Sequence, residues 1–152
     1  MFKKLLFVLI VLTLLSGNIL LAQGREGFGL GIMLGEPTGL SLKFTSNLAA
    51  GVAWSFVDDS NLHFHLDYLK YTNLFSSSSG LREKMPFYYG VGGRFKIRED
   101  KDSIVGVRVP LGISYLPDSL PIDIFLEIVP ILDVVPDVDF GINSALGARY
   151  YF

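Results

Sequence analysis

The chain has 152 residues and no cysteine, carries 13 Lys+Arg against 15 Asp+Glu for a formal net charge of −2, and is 50% hydrophobic. That length is one domain's worth. The missing cysteines exclude a disulfide framework and thiol chemistry, and the mild acidity argues against a nucleic-acid partner, which calls for a basic surface.

Lys3 and Lys4 precede an apolar run from Leu5 to Leu15, then Ser16-Gly17-Asn18 and Ile19-Leu20-Leu21-Ala22. A basic start, a short apolar stretch and a small residue at the end are the layout of a secretory signal peptide. Residues 1–22 are therefore expected to be cleaved, leaving 23–152 as the folded domain. The charge-free run from Leu5 to Gln23 is near the lower limit for a spanning helix, so an uncleaved anchor is the alternative, and the flanks favour cleavage. No Cys follows the run, which excludes a lipoprotein anchor. Losing Lys3 and Lys4 makes the remainder more acidic by two charges.

Beyond the leader the apolar residues recur at every second position, the period of a β-strand. Gly27 to Gly35 sets Phe28, Leu30, Ile32 and Leu34 against mostly glycine; Glu36-Pro37-Thr38-Gly39 is a turn. Leu40 to Thr45 returns, with Leu40, Leu42 and Phe44 on one face, and Gly51 to Val57 follows with Val52, Trp54 and Phe56. After a turn at Asp58-Asp59-Ser60-Asn61, Leu62 to Tyr71 alternates Leu62, Phe64, Leu66 and Tyr68 with His63, His65 and Asp67. Asn73 to Lys84, with Ser76-Ser77-Ser78-Ser79-Gly80, is a low-complexity connection. Pro86 to Arg98 sets Phe87, Tyr89, Val91, Phe95 and Ile97 against Tyr88, Gly90, Gly92, Arg94, Lys96 and Arg98. Ile104 to Tyr115 sets Val105, Val107, Val109, Leu111 and Ile113 against Gly106, Arg108, Gly112 and Ser114, and Pro110 predicts a bulge because it cannot donate to the ladder. Ile122 to Val129 sets Ile124, Leu126 and Ile128 against Asp123, Phe125 and Glu127. Pro130 to Asp137 either extends that strand or forms a short helical turn. The eighth strand, Val138 to Phe152, sets Phe140, Ile142, Leu146, Ala148, Tyr150 and Phe152 against Asn143, Ala145, Gly147 and Arg149.

Charge separates by parity. Lys43, His63, His65, Asp67, Arg94, Lys96, Arg98, Arg108, Asp123, Glu127 and Arg149 share the face opposite the apolar rows, and Lys70 is the exception at a strand end. With the charged row against lipid, Arg94, Arg98 and Arg108 would each cost roughly 2–4 kcal/mol near the midplane. The expected architecture is all-β: an eight-stranded antiparallel up-and-down transmembrane barrel, apolar outside, with its lumen filled by an ion-paired network. Small inward glycines are expected to leave room for long side chains from the opposite wall. The inverted alternative is a secreted, soluble, lipocalin-like barrel with charges outside. Trp54, Tyr68, Tyr89, Tyr115, Tyr150 and Phe152 are candidates for aromatic girdles. Termini in the periplasm would put the longer connections outside, whereas Glu36–Gly39 and Asp58–Asn61 are short.

Gly147, Tyr150 and the terminal Phe152 resemble the C-terminal assembly signal of bacterial outer-membrane proteins. Together with Gly35-Glu36-Pro37-Thr38-Gly39-Leu40-Ser41, Pro86-Phe87-Tyr88-Tyr89-Gly90-Val91-Gly92-Gly93-Arg94 and Leu126-Glu127-Ile128-Val129-Pro130, they resemble an uncharacterised family of small outer-membrane β-barrel proteins, a domain of unknown function, over about Gly27 to Phe152. The resemblance implies an eight-stranded barrel and an outer-membrane location; with the N-terminal signal, the expected place is the outer membrane of a Gram-negative cell after secretion and signal cleavage. It implies no reaction.

His63-Phe64-His65-Leu66-Asp67 puts two imidazoles and a carboxylate on one face, a spacing that suits a metal or acid-base work, but one strand supplies too few ligands and the luminal network is the simpler assignment. Gly90-Val91-Gly92-Gly93 lies in a strand with no following helix, so it is a packing feature rather than a nucleotide loop. The expected role is structural or surface-interacting, with no catalytic residues, cofactor or metal. A narrow porin-like pore and a lipid-modifying enzyme are the alternatives. Expected partners are outer-membrane lipid and, during biogenesis, periplasmic chaperones and the barrel assembly machinery, with no nucleic acid; the expected state is a monomer.

Overall fold

The structure, a computed structural model, describes residues 3, 5–7, 9, 21–22, 25–55, 61–73 and 84–152. Alternating sequence makes extended chain, because only a two-residue period puts every apolar side chain on one side. The strand segments are β1 (Leu21–Ala22), β2 (Gly29–Glu36), β3 (Thr38–Lys43), β4 (Leu48–Ser55), β5 (Asn61–Thr72), β6 (Phe87–Ile97), β7 (Ile104–Arg108), β8 (Leu111–Tyr115), β9 (Ile122–Val135) and β10 (Asp139–Tyr151).

β7 and β8 are halves of one stave, since both pair with β6 on one side and β9 on the other. β1 adds two residues beside Tyr71 and Thr72 at the end of β5. The remainder is eight antiparallel staves, each beside its neighbour in sequence, and the last, β10, pairs with the first, β2. Closure pairs Gly29–Glu36 with Ser144–Tyr151, which removes the sheet edge along that seam. The C-terminal Phe152 fastens that seam: its amide donates to Phe28 O at 3.0 Å and its ring stacks on Phe28 with centroids 6.2 Å apart.

The turns at Pro37, at 98–103 and at 136–138 lie at one mouth, here called the Pro37 mouth; the turns at 44–47 and 116–121 and the ends Gly29 and Tyr151 lie at the other, the terminal mouth. Thr45 caps its turn by accepting from the amides of Asn47 (3.2 Å) and Leu48 (3.1 Å) through its hydroxyl. The wall is uneven in height, with 14 residues in β9 and 13 in β10 but 6 in β3. The expected turn at 58–61 falls largely on residues outside those described, as do 74–83 of the serine-rich connection. Among residues 1–22, Lys3, Leu5, Leu6, Phe7 and Leu9 are helical, and Phe7 meets Phe140 edge-on at 6.5 Å.

The undecided connection at 130–137 is mostly strand. β9 continues through Pro130 to Val135, and Pro130 faces Ile142 on β10. Its carbonyl accepts from Val109 N at 2.9 Å, while Pro110 O accepts from Gly90 N at 3.0 Å. Each proline forfeits the reciprocal bond because it has no N–H. Pro110 therefore divides β7 from β8, as the expected distortion required, yet register is the same on both sides of the break. The one slip lies further on: Val105 faces Val135 but Gly106 faces Asp133, so Val134 is an extra residue on β9, a β-bulge.

Parity sorts the side chains as the alternation requires. Leu34, Leu66, Leu126 and Ile142 on the outer face are all more than half exposed, whereas Lys43, Asp123, Arg108 and Arg149 are at most 3% exposed. Two outward positions depart from expectation: Val109 is wholly buried beside the proline break, and Tyr89, a girdle candidate, is 6% exposed with its ring 6.5 Å from Phe87. Tyr68, Tyr115, Tyr150 and Phe152 are exposed near the terminal mouth, and Trp54 near the other.

Candidate functional site

Neighbouring staves are about 4.8 Å apart, so residues two staves apart are separated by roughly 10 Å. Their side chains meet across the middle stave most readily where the residue between them is small. The inward glycines occupy that middle place. Gly92 lies between Asp67 on β5 and Arg108 on β7, whose Oδ1 and Nε are 3.0 Å apart. Gly112 lies between Tyr88 on β6 and Glu127 on β9, and the phenol donates to Glu127 Oε2 at 2.8 Å. Gly106 lies between Arg94 and Asp133, and Arg94 Nε donates to Asp133 Oδ1 at 2.8 Å. Gly147 separates Phe125 from Met33, both in the apolar core. A Cβ would stand 1.9 Å from Asp67 Oδ1 at Gly92, 2.3 Å from Asp133 Oδ1 at Gly106 and 2.4 Å from Tyr88 Cζ at Gly112. This corrects the expectation that the glycines make room for the opposite wall: the space is taken by the flanking staves.

These bridges stack into storeys. At the terminal mouth Arg149 Nε donates to Asp123 Oδ1 at 3.1 Å, Tyr151 donates to Asp123 Oδ2, and Lys43 donates to the Tyr71 hydroxyl. The Arg149 guanidinium lies over the Phe125 ring, 4.2 Å from its centroid. Above this Phe125, Leu69, Met33, Ala49 and Ala145 pack in one buried cluster with Ala53, Tyr71 and Tyr88. The next storey is built on Arg108, which reaches Asp67 and, at 3.4 Å, Glu127. The Arg108–Asp67 contact is an ion pair by distance, with angles outside those of a hydrogen bond. His65 Nε2 is 3.9 Å from Asp67 Oδ2, and the His63 and His65 rings meet edge to face at 5.4 Å. The Arg94–Asp133 pair forms the last storey, with Lys96 buried opposite His63 on the neighbouring stave. Charges out of water are tolerable only when paired in this way.

Arg98 goes elsewhere: its Nε and Nη2 donate to Asp102 O at 2.9 and 2.6 Å, holding the turn between β6 and β7. Gly147 lies against the Phe125 ring, and Tyr150 and Phe152 face outward with rings 5.1 Å apart. Asp133 was missed because Pro130 and Pro136 hide the continuing alternation on which it sits. Tyr71, Tyr88 and Tyr151 are inward by parity, but the sequence does not signal that they cap Lys43, Glu127 and Asp123. Among the described residues no group of three His, Cys, Asp or Glu is placed to hold a metal ion, and His63 and His65 lie inside the wall, 2% and 9% exposed. No protein-family model, no curated protein and no solved structure matches the chain.

Proposed function

We propose that the chain is a small integral outer-membrane β-barrel protein, secreted and freed of residues 1–22, with a plugged lumen and a structural or surface-interacting role rather than a catalytic one. One observation carries the reading: the ionic groups are inside the wall, while Leu34, Leu66, Leu126, Ile142 and their neighbours form an exposed apolar exterior. A soluble barrel has the opposite arrangement, and a bilayer is the solvent in which this one costs least. The aromatic residues near the terminal mouth suit an interfacial girdle. The resemblance to small outer-membrane barrels of unknown function belongs to the same proposal. Phe125, Leu69 and Met33 belong to a cluster of buried, mostly apolar side chains within the wall, which favours a plug over a conducting pore.

The test is extraction of the mature protein from outer-membrane fractions. It is expected to need detergent, to give a β-type circular dichroism spectrum, to migrate faster unheated than boiled, and to pass no single-channel current in planar bilayers. A water-soluble monomer would remove the reading; resolved conductance steps would replace the plug with a narrow pore.

A further inference from the structure

Resting on the barrel reading just given, we infer that the lumen contains a blind, hydrated well that opens only at the Pro37 mouth and holds a single water molecule at its bottom. The cavity there amounts to about 10 Å³ and is bounded by His65, Arg108, Glu127 and Asn143, with Pro37 at its lip. That is about the least volume that houses one water, which also needs two or more polar partners. The walls supply them. His65 has its side chain 6% exposed, and its Nδ1 has no hydrogen-bond partner among the described residues. A buried polar atom left in that condition is costly, and bound water is the common remedy.

Access is one-sided. Met33 and Ala145, which belong to the buried cluster, line the cavity on the side of the terminal mouth. Towards the Pro37 mouth the cavity lining passes to Glu36, Pro37 and Ser144, and there is room beside them: Gly141 faces inward two residues above Asn143, and a Cβ there meets nothing within 4 Å. The wall is also lowest on this side, where β2 turns into β3 at Pro37. Water therefore reaches His65 from one face of the membrane while the core beneath it stays dry.

The chain has no native cysteine, so introduced thiols report access directly. Asn143→Cys in lipid nanodiscs, where both faces are open, is expected to react with 2-aminoethyl methanethiosulfonate. Ser114→Cys, near-isosteric and wholly buried opposite Phe125 on the neighbouring stave, is expected to react at least a hundredfold more slowly. Adding Gly141→Leu, which has room in the open mouth, should slow Asn143→Cys by at least tenfold. Water-to-protein cross-relaxation in NMR spectra should reach the Ala145 methyl and vanish in Gly141→Leu. An unreactive Asn143→Cys, a rate unchanged by Gly141→Leu, or a Ser114→Cys that labels equally fast would overturn the well. Failure of the chain to insert into nanodiscs would overturn the membrane reading itself, a separate and recognisable outcome.

Discussion

Gly92 and Gly93 are adjacent in sequence and opposite in consequence. Gly92 faces the lumen beneath the Asp67–Arg108 ion pair, where a methyl group would stand 1.9 Å from Asp67 Oδ1 and 2.4 Å from Leu66 O. Gly92→Ala must displace either the carboxylate or the strand. Overpacking costs about 1–3 kcal/mol, and loss of a partner from a buried pair about 3–5 kcal/mol. Because Asp67 is pushed aside rather than removed, we expect about 3 kcal/mol, a fall of roughly a hundredfold in the folding constant. Gly93 faces outward, and its added methyl meets only Gly106 O at 3.9 Å, so Gly93→Ala should change stability by less than about 0.5 kcal/mol. The assay is urea unfolding in lipid vesicles, followed through the single tryptophan, Trp54, and through heat-modifiable migration. Equal losses for both variants, or a neutral Gly92→Ala, would refute the idea that inward glycines exist to let flanking side chains meet.

Other consequences follow from the same geometry. Asp133→Ala strands the Arg94 guanidinium at the partly hydrated Pro37 mouth and should cost about 2 kcal/mol, read as a lower urea midpoint at unchanged slope. Phe125→Ala removes a ring of the buried cluster that lies under Arg149; a loss of about 3–5 kcal/mol is expected, together with the appearance of small conductance steps in bilayers. Phe152→Ala removes the stack on Phe28, about 0.5–1.5 kcal/mol, but should lower the yield of assembled barrel in cells far more than it lowers unfolding stability in vitro, as measured by the fraction migrating in the heat-modifiable form.

Single-strand periodicity made the barrel's faces legible: Leu62 to Asp67 alternates so strictly that no register places both His63 and Leu66 in lipid. What it could not convey was which luminal residue meets which. Asp67 finds Arg108 only because β5, β6 and β7 are aligned so that Gly92 falls between them, and that alignment is a property of three strands together. The prolines masked more. Pro130 suggested a break, yet its missing donor merely drops one bond beside an equally interrupted stave, so β9 runs on and brings Asp133 into the lumen. Val109 shows the reverse: its parity put it outside, and its place between Pro110 and the Pro130 opposite leaves it buried.

The most direct test of the sidedness on which all this depends is site-directed spin labelling in a bilayer. Labels at Ile142 and Leu126 should collide readily with dissolved oxygen and hardly at all with a water-soluble nickel chelate. A label replacing Ser41, which is inward and 5% exposed, should be immobile and sheltered from both. Labels at Ile142 and Leu126 that meet the nickel chelate as freely as they would in water would contradict the account.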